Sequence, residues 1–205
     1  MISVVLGFYS WALKKGKNLT HRMKNYDLFV FLFFNLNILI EHIIMNGPSF
    51  GVFIDLRRVL LRKQLMPGSG SFTSFSGLWV PWKENVFIGN RVSINRNVTI
   101  DASGGCKIII QDNCLIGPYV LIRAADHCFD DTTRPINTQG HKPGNIIIEE
   151  DCWIGGHVTI TKNVTIGRGS VIGANSVVTR DIPPFSVAAG NPAKVIRSRL
   201  NKKED

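Results

Sequence analysis

Between Asp126 and Asn145 the chain reads DHCFDDTTRPINTQGHKPGN, which puts two histidines, a cysteine and three aspartates within 20 residues. His127 can take a proton from a hydroxyl and pass it on near neutrality, because an unperturbed imidazole titrates at about pH 6.5, while His141 reads as a surface histidine or one that reaches an acceptor or a neighbouring subunit. Cys128, beside His127, could carry an acyl group as a covalent intermediate. Asp126, on the other side, could orient the imidazole or merely cap the loop. A lone histidine is more often a surface residue than a base, so these roles depend on what surrounds the segment.

What surrounds it is a repeat. An aliphatic residue returns every six positions at Ile88, Ile94 and Ile100, then after a four-residue insertion at Ile110, Ile116 and Ile122. After the 126–145 interruption it returns again at Ile148, Ile154, Ile160, Ile166, Ile172 and Val178. That spacing predicts short extended segments joined by tight turns, each sending one large side chain inward. Four residues after each aliphatic stands a small or β-branched one (Val92, Val98, Cys114, Val120, Cys152, Val158, Val164, Ser170, Ser176), so that slot must be narrow. Cys114 and Cys152 therefore read as small buried hydrophobes rather than as chemistry. Gly89, Gly117, Gly155, Gly167 and Gly173 directly follow their aliphatic residues, where the chain turns and a bare backbone is favoured. A smooth repeat offers no pocket, and an ejected loop on a rigid scaffold supplies the walls that chemistry needs.

The remainder bounds the class. A chain of 205 residues with 44% hydrophobic and 19% charged residues buries a real core, which excludes a disordered protein. A net charge of +9 suits an anionic partner (a phosphorylated ligand, an acidic lipid surface or nucleic acid) without choosing among them. The four cysteines show neither zinc-ribbon pairing nor disulfide-framework spacing, so the default setting is reducing and cytoplasmic. The apolar start MISVVLGF precedes Lys14, Lys15 and Lys17, the reverse of a secretory signal, so no cleaved leader is expected. In Leu28–Met45 the polar residues Asn35, Asn37, Glu41 and His42 favour a packed helix over a membrane span. Val52–Leu65 reads as an amphipathic helix with Phe53, Leu56 and Leu60 on one face and Arg57, Arg58, Arg62 and Lys63 turned elsewhere, packed on its own protein or on acidic lipid. Met66–Gly77, rich in Gly and Ser, reads as a connection. The expected division is a helical arm over 1–70, the repeat domain over 71–197 with its loop at 126–145, and a tail over 198–205.

The stretch WIGGHVTITKNVTIGRGSVIGANSVVTRDIPPFSVAAGNPAKVIR, residues 153–197, resembles the hexapeptide-repeat acyltransferases of the sugar and polysaccharide O-acetyltransferase type. The resemblance covers residues 85–197 and leaves the N-terminal helices outside. It implies an all-β-dominated fold, a left-handed parallel β-helix with three sixes per coil and about four coils, carrying an N-terminal helical arm and a projecting active-site loop. It implies an enzyme that moves an acetyl group directly from acetyl-CoA to a saccharide hydroxyl, with His127, 26 positions before Trp153, as general base. Under it Gly156 and Ala174 lie along the pantetheine arm, while Thr179, Arg180, Lys194 and Arg197 lie near the nucleotide and its phosphates. Asn95, Asp126 and Trp153 fall on the acceptor side, with Asn95 also readable as a turn former. A homotrimer with sites between subunits is expected, with no metal and no nucleic acid, in the cytoplasm or at the inner membrane face through the arm. An antibiotic acceptor stays open. Two further readings use the same fold. A zinc enzyme like the γ-class carbonic anhydrases has its count in His127, His141 and His157 but not the H-x-x-x-x-H spacing. A non-catalytic scaffold would have no reason to keep the loop histidine, Trp153 and the basic tail together.

Overall fold

The computed structural model describes residue 36 and residues 38–200. The N-terminal apolar stretch, residues 28–35 and 37 of Leu28–Met45 and the last five residues of the tail lie outside the described residues, and the described part of Leu28–Met45 is helical. From Val86 the six-residue pattern becomes strands of two or three residues laid on three faces in turn. The first face holds β1 (Phe72–Ser74), β3 (Val92–Ile94), β6 (Leu115–Ile116), β11 (Trp153–Ile154), β14 (Val171–Ile172), β16 (Ser186–Ala189) and β17 (Lys194–Ser198). The second holds β4 (Thr99–Asp101), β7 (Leu121–Arg123), β12 (Thr159–Ile160) and β15 (Val177–Val178); the third holds β2 (Val86–Ile88), β5 (Ile108–Ile110), β10 (Ile146–Ile148) and β13 (Val164–Ile166). The chain visits the faces in the order first, second, third, so three sixes close one coil of a parallel β-helix.

Register explains the period. Ile88, Ile110, Ile148 and Ile166 stack in line inside the third face. Ile94, Ile116, Ile154 and Ile172 do the same in the first face, as do Ile100, Ile122, Ile160 and Val178 in the second. All twelve are buried, and so are the narrow-slot residues, Cys114 and Cys152 included. The turns after Ile94, Ile110, Ile160 and Ile172 place a left-handed residue three positions after the aliphatic one, at Asn97, Asn113, Asn163 and Asn175. Asparagine tolerates that conformation better than most residues. The glycines one position after the aliphatic serve a different need. A Cβ at Gly117 would stand 2.6 Å from the Gly156 nitrogen, and one at Gly155 2.6 Å from the Ala174 nitrogen, so coil stacking excludes a side chain there.

Two expectations need correction ahead of the repeat. The Gly/Ser-rich stretch is not only a connection, because Phe72–Ser74 pairs in register with Val92–Ile94 and opens the coil early. The helix α1 (Val52–Arg62) turns a different face inward: Arg57 and Leu61 are buried and Leu56 is exposed. The Arg57 guanidinium donates to the carbonyls of Ile44 (2.8 Å), Pro48 (2.8 Å), Ser74 (3.3 Å) and Gly47. Its fork of five donors satisfies backbone acceptors gathered from the end of the preceding helix (Ile44), the residues just after it (Gly47, Pro48) and β1, which is why a cation occupies the core side. Burial lowers the pKa of Arg57 from its ordinary value. Leu61 and Leu65 join the apolar core of the coils, and the compact unit that holds them begins at Ile44, so residues 44–70 belong to the body of the coil domain. No described helix is long and apolar enough to cross a membrane.

Candidate active site

After β7 the chain leaves the coil at the corner between the second and third faces. β8 (Ala125–His127) rises and β9 (His141–Pro143) returns antiparallel to it, pairing Ala125 with Pro143, Asp126 with Lys142 and His127 with His141. The two imidazoles meet at 4.3 Å between ring centroids, tilted by 40°. His141, readable from sequence as an ordinary surface residue, is thus the immediate neighbour of His127. The tip of the loop holds itself together. The Asp131 carboxylate accepts from the Thr133 hydroxyl (2.6 Å), the Thr133 amide (2.9 Å) and Arg134 Nε (2.7 Å). The Gln139 amide bridges the two limbs, donating to the Asp131 carbonyl at 2.7 Å and accepting from its N–H at 3.1 Å. The Thr133 hydroxyl, then Arg134, hold the Asp131 carboxyl below its usual range.

Strand alternation decides between the two readings of Asp126. His127 and His141 stand on one face of the hairpin, so Asp126 and Lys142 stand on the other, and Asp126 does not orient the imidazole. Its carboxylate pairs instead with Lys162, from the turn between β12 and β13. No sequence signal joins two residues 36 apart across a loop, so only the structure brings Lys162 to Asp126. Cys128 is half-buried, and its amide donates to the Gly140 carbonyl at 3.0 Å, continuing the hairpin. Cys114 and Cys152 fill the narrow slot on neighbouring coils; a hydrogen bond to Cys152 and burial together push the Cys114 thiol up, away from thiolate chemistry.

The other expected site residues are spread around the coil. Asn95, Gly156 and Ala174 lie at the corner between the first and second faces. The Asn95 side chain accepts from the Arg96 amide at 2.8 Å, as a turn former does. Gly156 and Ala174 adjoin on consecutive coils, with the Asn175 amide donating to the Gly156 carbonyl at 3.0 Å. Thr179 and Arg180 are exposed on the corner that ejects the loop, two coils further on. Lys194 and Arg197 lie in β17, which runs antiparallel to β16 at the end of the first face. Trp153 is 55% exposed on that same face, between Leu115 and Val171, opposite the corner that carries His127. One chain therefore does not bring Trp153 to His127.

A three-histidine metal set is not assembled either. His157 stacks on Tyr119 at the corner between the first and second faces, with ring centroids 4.7 Å apart, while His127 and His141 stand on the loop. Among the described residues no group of three His, Cys, Asp or Glu side chains is placed to hold a metal ion.

Residues 145–180 match the bacterial transferase hexapeptide (six repeats) family. A putative acetyltransferase of Saccharomyces cerevisiae is 38% identical over 143 residues, which cover 70% of this chain and 71% of the yeast protein. The chain belongs to the hexapeptide-repeat acetyltransferases. The crystal structure of such an acetyltransferase from Vibrio cholerae superimposes with a TM-score of 0.68 at 31% identity, covering 80% of this chain and 89% of the other, and a second structure of it holds acetyl-CoA. Galactoside acetyltransferase in complex with coenzyme A superimposes with a TM-score of 0.66 at 29% identity, covering 93% and 90%. As in its family, the coils form a left-handed β-helix, and the protein is an acetyltransferase.

Proposed function

We propose that the protein transfers the acetyl group of acetyl-CoA to a saccharide hydroxyl, with His127 as the general base. The observation that carries this reading is the hairpin itself, which breaks an otherwise regular coil in order to lift His127 off it. The acceptor hydroxyl oxygen attacks the thioester carbonyl as His127 takes its proton. The tetrahedral intermediate collapses, the carbon–sulfur bond breaks, and the proton passes from the imidazolium to the departing thiolate. Every atom is accounted for without a covalent enzyme intermediate, so Cys128 has no step to perform. The acetyl-CoA and coenzyme A complexes of related enzymes support the donor, and the galactoside enzyme supports a saccharide as the acceptor.

The site is completed by a second copy of the chain. Trp153, Lys194 and Arg197 stand on the face opposite the loop's corner, so a neighbouring coil that presents this face to the hairpin brings them to His127. Threefold closure of that contact gives a trimer with three equivalent sites. Gly156 and Ala174 would then admit the pantetheine arm, and Thr179, Arg180, Lys194 and Arg197 would meet the nucleotide end. Asn95 would reach the acceptor. Contact with acidic lipid rests on Arg62 and Lys63, since Arg57 is buried and Arg58 pairs with Asp55 at 2.7 Å.

The test is thiol release from acetyl-CoA with a panel of sugars, lipid-linked saccharides and chloramphenicol-like alcohols. His127→Ala should keep the oligomer and its acetyl-CoA affinity and lose on the order of 10² to 10⁴ in kcat. Cys128→Ala should turn over normally. A folded His127→Ala enzyme with wild-type turnover would remove the base, and turnover confined to the antibiotic-like alcohols would remove the saccharide.

A further inference from the structure

We propose that Lys162 is a positioning residue for the acetyl transfer: paired with Asp126, it latches the hairpin that carries His127 to the coil behind it. The inference rests on the reading of His127 as the base. The hairpin is only three residue pairs long, and a two-stranded ribbon of that size does not hold its own tilt in water. It must be gripped from outside.

One grip comes from the face that bears the histidines. A Cβ on Gly104 would stand 3.0 Å from the Pro143 side chain and 3.7 Å from that of Ala125, so the four-residue insertion of the preceding coil is seated against the root of the hairpin. The opposite face carries Asp126 and its cross-strand neighbour Lys142, and there the grip is the ion pair to Lys162. Lys162 reaches it from a fixed base. The Thr161 amide donates to the Val178 carbonyl at 3.0 Å, and Asn163 packs so closely on Gly144 that a Cβ there would lie 2.1 Å from its Oδ1. The Lys162 side chain is 19% exposed and that of Asp126 42%, a pair largely withdrawn from solvent on the lysine side. The hairpin is thus held between the coil before it and the coil after it. Removing the second grip frees the imidazole to swing about the first, and a misplacement of about 1 Å in such a group can cost about 10²-fold in rate.

The charges predict an order of effects. Losing Lys162 leaves Asp126 beside Lys142. Losing the Asp126 charge leaves Lys142 and Lys162 facing each other with nothing between, which pushes the hairpin away from the coil. In the full-length enzyme with acetyl-CoA and its best acceptor, Lys162→Met should lower kcat by about 10- to 100-fold. The KM for acetyl-CoA should stay within about twofold, because the donor residues do not move with the hairpin. The melting temperature should fall by no more than about 4 °C, as expected for a partly exposed ion pair. Asp126→Asn should be slower than Lys162→Met, and the double variant no slower than Asp126→Asn alone, since the two residues act as one unit. Lys162→Arg should stay near wild type.

His127→Ala measured alongside separates the two ideas. Wild-type kcat in Lys162→Met, with His127→Ala dead, overturns the latch and leaves the base standing. Wild-type turnover in His127→Ala removes the base and the latch with it. If Lys162→Met does not fold, Lys162→Arg against Lys162→Gln decides: a fast Arg and a slow Gln variant support the latch, and any other order overturns it.

Discussion

The coil and the hairpin are built on opposite rules. In the coil an interior strand is bonded in register to the strands before and after it, and an inward isoleucine in mid-column lies between two aliphatic side chains, as Ile160 does between Ile122 and Val178. Loss of one contact leaves many of the same kind. The hairpin has three residue pairs, one seat on Gly104, one ion pair to Lys162 and a tip closed by Asp131 and Gln139. No contact there is repeated. Rigidity comes from repetition, whereas a reacting group needs a place that repetition does not fill, and the proposed base stands where the period stops. Changes in the coil should register as stability, and changes in the hairpin as rate.

The sharpest way to break that contrast sets Ile160→Ala beside His127→Ala. Ile160 is wholly buried in the inner column of the second face. Its truncation should cost about 2–5 kcal/mol in urea unfolding, through lost transfer energy and a cavity that a stacked coil cannot collapse. Turnover per folded enzyme should stay within about threefold. His127→Ala should do the reverse, with an unfolding midpoint close to wild type and a turnover lower by the factor given above. If Ile160→Ala slowed the folded enzyme as much as His127→Ala does, rigidity and rate would not be separable in this molecule.

The same contrast explains what could be read from the chain. The coil is printed in the sequence twelve times over, once per six, so its period, inward columns and narrow slots are all legible. Its first strand is not, because Phe72–Ser74 sits in a Gly/Ser-rich stretch where one inward aromatic makes no period. Periodicity points to the wrong face of α1 because it assigns arginine to solvent. Only the geometry shows four carbonyls converging on Arg57. For the site, His127 could be found because the repeat stops there. Its neighbour His141 depends on hairpin register, which 13 intervening residues do not specify. The tie from Asp126 to Lys162 depends on the offset between the coil that ejects the loop and the coil after it, which no local pattern encodes. Trp153 was legible as a motif, but its place opposite the loop follows only once the order of the faces is known.

A smaller effect tests whether binding and rate also lie in different regions. Lys194 and Arg197 sit at the end of the coil, exposed, in the strand that closes the first face. Reversing both to Glu should raise the KM for acetyl-CoA by about tenfold or more, since each charge-assisted contact to a phosphate becomes a repulsion. The kcat at saturating donor should hold, because neither residue is part of the hairpin. An unchanged KM would take the nucleotide end of acetyl-CoA away from these residues. A fall in kcat alone would tie the end of the coil to the reacting group and blur the contrast.

The smallest effect concerns the tip of the loop, where order depends on one ionised side chain. The bonds from the Thr133 hydroxyl, Arg134 and the Thr133 amide lower the native pKa of Asp131. A carboxylate with a depressed native pKa adds local stability above its unfolded value, near pH 3.9, and that stability is lost as the pH falls through the native value. Amide exchange at Thr133, corrected for intrinsic rate, should therefore show full protection above about pH 5, declining protection through about pH 4 and little below the lowered native value. Asp131→Asn should remove the pH dependence while leaving the exchange of Ile160 and its coil neighbours unchanged, since the Asp131 carboxylate bonds only to Thr133 and Arg134 within the loop. Asp131 is exposed, so the change belongs to the loop and not to global unfolding. If the coil amides lost protection together with Thr133, the tip and the coil would open as one unit, and the loop would share the coil's cooperativity after all.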